Sequence, residues 1–250
     1  LKNFNTKVKR IFLCILATHS YRRFFLLSKI INLYNPKYIL AEKLLENSVS
    51  EINKYHNNFT RKKIYVNCSN RMRSIFLELL KKYHKKKINM NVNGGGWNLL
   101  SNCIHFIDFI ALITNEQIKR ISINENSYLI KSKHNNFKEL IGEMVIEFKK
   151  GSILKLNSKK SKKDRIMEIV DSKNNKTITN LDQNKITFPN KKKFKMQYQS
   201  LLTFQFYKKL IKGEKINLPD LKRNVTHTKV LLTGLKRSKL FKYKKDIMVT

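Results

Sequence analysis

The sequence predicts an α+β fold: an N-terminal helical region, a small helix–turn–helix plus β-sheet unit, basic extensions and a short C-terminal α/β segment. Three observations predict it. Apolar residues recur at helical spacing from Leu40 to Ala111, short apolar runs bounded by turn residues take over from Tyr128, and lysine- and asparagine-rich stretches interrupt both patterns. The chain has 250 residues, 41% of them hydrophobic and 10% aromatic, enough for folded cores and far above a disordered tail. It divides into residues 1–93, 97–156, 157–197 and 198–250.

In chain order, residues 1–35 open with Lys2, Lys7, Lys9 and Arg10, followed by Ile11–Ala17, Arg22-Arg23 and Phe24–Ile31. This basic, amphipathic start reads either as a targeting peptide or, in an organellar gene, as a helix lying on a polyanion. Asn35-Pro36 supplies a capping side chain and a first-turn proline, so a helix is expected through Leu40, Leu44, Leu45, Val49 and Ile52. A second helix is expected from Ser69, with Ile75, Phe76, Leu79, Leu80 and Tyr83 as its apolar face. Asn93-Gly94-Gly95-Gly96 could cradle a phosphate, but no Gly-Lys-Ser/Thr follows and no apolar strand precedes it; a flexible linker is expected.

From Trp97 a strongly apolar helix is expected through Leu99, Leu100, Cys103, Ile104, Ile107 and Ala111. Thr114-Asn115-Glu116-Gln117 then reads as the start of another helix. Strands follow at Tyr128–Ile130, Met144–Phe148 and Ile153–Leu156, the last two joined by Lys149-Lys150-Gly151-Ser152. Residues 157–197, with lysine runs at 159–163 and 191–193, read as a basic insertion, partly disordered without a polyanion, in which Ile166–Val170 is an ordered piece. The last segment is expected to hold a helix over Leu201–Ile211, a strand over Val225–Leu232 and a basic tail.

Charge narrows the partners. Lys and Arg number 53 against 17 Asp and Glu, a net +36, and a folded chain with that surplus repels itself unless a polyanion neutralises it. Nucleic acid is the usual neutraliser, each contact releasing counterions. Cys14, Cys68 and Cys103 are odd in number and far apart, which argues for a reducing compartment and against a zinc site. The longest apolar stretch, Ile11–Ala17, is too short to span a bilayer. No metal spacing links the histidines; His105 reads as a core or buried-edge residue, and Asp108 as a helix-packing hydrogen bond or ion pair. With no nucleophile signature, the expectation is no catalytic residue, no metal, no cofactor and no enzyme. Only three alanines (Ala17, Ala41, Ala111) beside abundant Lys, Asn and Ile follow AT-rich codons, and with Leu at the first position they point to a mitochondrial gene.

The order of features over residues 102–156 resembles the S-four family of small-subunit ribosomal proteins. Thr114-Asn115-Glu116-Gln117-Ile118-Lys119-Arg120-Ile121 stands for that family's second helix, Tyr128–Ser132 for its hairpin strand, and Lys149-Lys150-Gly151-Ser152 for its closing turn. Ser152 replaces the family's aspartate, and the hairpin glycine is absent. Leu218-Pro219 before Val225–Leu232 is similar to the end of long mitochondrial members. The resemblance implies a structural constituent of a mitochondrial small ribosomal subunit, with rRNA and neighbouring ribosomal proteins as partners, no small-molecule substrate and no membrane insertion. RNA contact would fall to Thr114, Asn115, Gln117, Lys119, Arg120, Lys131, Lys133, Lys149 and Lys150, around a helix start whose N–H groups suit phosphate. The alternatives are another organellar ribosomal protein or an RNA-processing factor.

Overall fold

The computed structural model describes residues 10–132, 136–244 and 246–249. Two sheets share one hydrophobic core. The first is parallel: β1 (Leu13–Leu16), β2 (Tyr38–Ala41) and β3 (Ile64–Val66) lie side by side in chain order. Helix α1 (Arg23–Tyr34) joins β1 to β2, and α2 (Val49–Phe59) joins β2 to β3. These strands are short apolar runs, as expected where helices cover a parallel sheet.

Here the structure corrects the N-terminal helical region. Asn35 ends α1 instead of starting a helix: its backbone is left-handed (φ 40°) and its N–H donates to Ile31 O. Pro36 follows because a proline cannot continue a helix. Leu40 therefore lies in a strand, and the next helix waits until Val49.

The second sheet is mixed, with β4 (Ile88–Gly95) at its centre between β8 (Ile153–Lys159), parallel to it, and β9 (Ile166–Asp171), antiparallel. Outward on one side run β7 (Lys138–Phe148) and β5 (Ile118–Ile123), with β6 (Tyr128–Lys131) pairing the far end of β7. On the other side run β10 (Lys176–Asn180), β11 (Lys185–Phe188) and β12 (Lys192–Lys193), making nine strands. Helices α3 (Ser74–Tyr83) and α4 (Leu99–Thr114) flank β4 in sequence; α5 (Gln199–Ile211) and α6 (Leu221–Lys236) close the chain. Thirteen of the sixteen residues of α4 are buried, which puts this helix at the heart of the core.

Four expectations change. Of the 93–96 linker, Asn93, Gly94 and Gly95 are the end of the central strand β4, whose Ile88, Met90 and Val92 alternate with exposed or half-buried asparagines. The helix expected from Thr114 does not form: Asn115 caps α4 in the left-handed region (φ 54°), and Ile118–Ile123 pairs with β7 as a strand. Residues 157–197 supply strands to the same sheet, because their polar residues build turns: Asp171 accepts from Lys173 N (3.0 Å) and Asn175 N (2.9 Å) between β9 and β10. The expected strand at Val225–Leu232 is helical. Asp220 caps α6 by accepting from Arg223 N at 2.9 Å, and Leu221, Val225, Leu232 and Leu235 are buried along one stripe. With no second helix among the described residues of 102–156, the small helix–turn–helix unit does not form there.

Candidate active site

The C-terminal ends of parallel strands open a crevice in which α/β folds bind ligands. Past the end of β2 the chain continues Glu42-Lys43. Arg23 holds this turn: its guanidinium is 1% exposed and donates to the carbonyl oxygens of Thr18, Glu42 and Leu44. Past β3, Asn67 donates to Glu42 Oε1 and accepts from Gln199 Nε2 at 3.0 Å. Lys43 is thereby directed at the first turn of α4, where its Nζ donates to Ser101 O at 2.6 Å. Burial lowers the pKa of this ammonium, against the pull of Glu42 and Glu139.

Helix α4 presents the other half. Glu139, from β7, accepts from Leu100 N (2.9 Å) and Ser101 N (3.4 Å) and from the Ser101 hydroxyl, locking the helix start; burial raises its pKa. One turn on stands His105, half-buried, its Nδ1 shut off from solvent with no partner. Burial and the charges of Lys43, Arg73 and Arg165 outweigh Asp108 and push the imidazole down to about 3, so it is neutral at physiological pH. Asp108 is fully buried and takes a two-pronged bond from Arg71 (Nε 2.5 Å, Nη2 2.6 Å), with His227 Nδ1 3.5 Å away. Its burial is more than offset by His227 and Arg71, which hold the carboxyl below the ordinary range. The ion pair expected of Asp108 is therefore present, as a buried bridge between α4 and the turn before α3.

Three glycines bring a further segment to this place. A methyl group on Gly95 would stand 2.1 Å from Ser161 O, and one on Gly94 2.7 Å from Arg165 Cγ. Their lack of side chains lets the 159–165 segment cross the end of β4, where Gly95 N donates to Lys163 O and Gly96 N to Lys159 O.

Three of the residues expected to touch RNA come together elsewhere. Asn115, Gln117 and Lys149 line a cleft of about 770 Å³ with Lys222 and Arg223, and Lys149 Nζ donates to Gln117 Oε1 at 2.7 Å. The rest do not join them. Thr114 is buried and donates to Ile110 O, at the end of a helix and not its start. Lys119 and Arg120 are exposed on β5, Lys119 3.8 Å from Glu147, and Lys131 is exposed on β6. The Lys150 N–H goes to Glu116 Oε2, and Lys133 lies outside the described residues. Sequence reading left Lys43, Arg71 and Arg73 unremarked as site residues; the readable signal was a charged pair directly after the apolar run 38–41.

No family model matches the sequence, nor does any curated protein. Solved structures do match the fold. The WlbA dehydrogenase of Bordetella pertussis, determined with NADH and UDP-GlcNAcA, superposes with a TM-score of 0.65 at 14% identity over 91% of this chain and 76% of its own. The UDP-N-acetylglucosamine 3-dehydrogenase GnnA of Acidithiobacillus ferrooxidans gives 0.61 at 12% (90% and 76%), and an oxidoreductase of Thermotoga maritima 0.62 at 19% (91% and 76%).

The chain shares the fold of these solved structures. The finding overturns the resemblance to the S-four ribosomal family and the non-enzymatic ribosomal function drawn from it, along with its organellar-ribosomal and RNA-processing alternatives. The expected partnership with rRNA and ribosomal proteins, without a small-molecule substrate, falls too: the structures sharing the fold include complexes with NADH and a UDP-sugar. The physical reason lies at Asn115, since the segment matched to the family's RNA-binding helix is a capped helix end followed by an edge strand.

Proposed function

We propose that this chain carries the substrate-binding, proton-handling part of an oxidoreductase acting on a nucleotide-linked sugar. The observation that supports it best is the Lys43 ammonium, carried past the end of a parallel strand, bonded to the first turn of α4 one turn before the neutral His105, in a fold shared with solved UDP-sugar dehydrogenases. Oxidising a sugar hydroxyl to a ketone removes a hydride from carbon and a proton from oxygen. A nicotinamide dinucleotide, if held at these strand ends, would supply the hydride acceptor. The proton passes to this chain's own side chains. His105, uncharged before substrate arrives, is the base, the anionic substrate offsetting the cations that depress it, and the Lys43 ammonium stabilises the oxygen as negative charge develops.

The fit to a dinucleotide is partial. Lys43, presented past the end of β2, supplies a cation at the crevice of the strand ends. A pyrophosphate cradle needs a glycine-rich turn running into a helix, yet no glycine precedes Gly94 and the buried Arg23 fills the turn before α1. No step is assigned to those residues.

The test is NADH formation, followed by absorbance, with millimolar NAD⁺ and a panel of UDP-sugars. The reading predicts a rate that rises with NAD⁺ without saturating, dependent on one class of UDP-sugar. Absence of any sugar-dependent NADH would remove it.

A further inference from the structure

Among the cations around this site, Arg73 differs from the rest. Arg71 has Asp108, Arg165 has Asp182 (Nε to Oδ1 at 2.9 Å), Arg23 has three carbonyl oxygens, and Lys43 has Ser101 O. Arg73, at the start of α3, is half-buried, and among the described residues no hydrogen bond or ion pair takes up its guanidinium; its Nε is closed to solvent without an acceptor. Nearby acids are committed: Asp108 to Arg71, Glu139 to the α4 start, Glu42 to Asn67, and Asp182 to Arg165. A buried cation left unpaired is costly, and the cost disappears when an anion arrives. The charges of Arg73, Arg165 and Lys43 all bear on His105, so an anion arriving among them would act on the proposed proton acceptor.

We propose that Arg73, backed by Arg165 and Lys43, anchors an anionic oxygen group of the substrate, either a carboxylate on the sugar or a phosphate of its nucleotide. The inference rests on the reading of Lys43 and His105 as the reacting site. The guanidinium fork matches both groups, each presenting paired oxygens. The glycines of β4 serve the same end, because only their bare backbone lets Arg165 cross the strand end close enough to share the charge. Burial and Arg165 both depress the pKa of Arg73, as expected where like charges await a counterion.

Calorimetric titration of the full chain with UDP-GlcNAcA, UDP-GlcNAc and inorganic pyrophosphate tests this without any redox readout, so it stays readable if hydride transfer fails. Arg73→Met should weaken binding about 30-fold, while the unliganded melting temperature holds or rises because a stranded charge is gone. Arg73→Lys, which keeps the charge but not the fork, should give an intermediate loss and serves if the methionine variant does not fold. Loss confined to UDP-GlcNAcA identifies the group as the sugar carboxylate; equal loss for all three identifies phosphate. Unchanged affinities in folded Arg73→Met, a lowered melting temperature with unchanged affinities, or no binding of any of the three by the wild-type chain would each overturn the proposal.

Discussion

Two regions of this molecule are rich in cations, and they behave oppositely. Along the rim, Lys159, Lys160, Lys162 and Lys163 and the run Lys191–Lys193 are exposed; most make no ion pair among the described residues, and Lys192 reaches only the exposed Glu78. At the junction of β2, α4 and the turn before α3, Arg23, Lys43, Arg71 and Arg73 are buried or half-buried, each in a different electrostatic setting. The rim carries a dense run of the surplus charge and says little about chemistry, since a solvated lysine contributes almost nothing to stability or specificity. The junction adds little to the total and positions every group of the proposed reaction. Net charge describes a surface, whereas function here depends on which few charges are withdrawn from water.

The comparison breaks most visibly at Lys43. Lys43→Met preserves the stem but not the ammonium, and NADH formation should fall about 100- to 1,000-fold with an unchanged far-ultraviolet circular dichroism spectrum. A rate within a fewfold of wild type would move the chemistry elsewhere. Next comes the buried bridge. Asp108→Leu strands Arg71 without its acid and should cost about 3–5 kcal/mol in urea unfolding, while the double replacement Arg71→Met with Asp108→Leu should recover much of that. Gly95→Ala forces a methyl group against the backbone of Ser161 and should cost about 1–3 kcal/mol, with a drop in UDP-GlcNAcA affinity as Arg165 shifts.

Much of the helical content was legible and much of the sheet was not. The faces of α3 and α4 follow from 3.6-residue spacing, and their predicted apolar residues are buried, Leu80 partly so. The strand β4 was hidden because its outward positions are asparagines and it ends in two glycines with a third just beyond, a composition shared with linkers; the alternation Ile88, Met90, Val92 was the readable signal. Asn35 and Asn115 misled for a single reason. Asparagine stabilises either end of a helix, as an N-cap or in the left-handed C-cap, and only the neighbouring packing decides. The bond from Lys43 to Ser101, one turn before the proposed base His105, spans 58 positions of sequence and exists only in the folded chain, so no local pattern encodes it. His105 and Asp108 were visible as polar residues in an apolar helix; their unlike settings, one without a partner and one tightly paired, were not.

A smaller effect is expected at Glu46, which is fully buried below Phe24 and Tyr55 with Oε2 unpartnered. Burial raises its carboxyl from 4.5 to about 7, so the folded state binds a proton the unfolded state releases. Its stabilising contribution is whole below pH 4.5 and lost as pH rises through about 7. Urea midpoints measured across that window should decline, and Glu46→Gln should flatten the decline. The smallest effect belongs to the rim: neutralising Lys160, Lys162 and Lys163 to glutamine should change stability by less than about 0.5 kcal/mol.

The most direct test sets the two regions against each other in one assay. NADH formation from NAD⁺ and UDP-sugar is measured for Lys43→Met and for the triple rim variant Lys160→Gln, Lys162→Gln, Lys163→Gln. Loss of activity in the first and its retention in the second is the predicted result. Retained activity in Lys43→Met together with loss in the rim variant would show that the exposed surplus, and not the buried junction, does the chemistry.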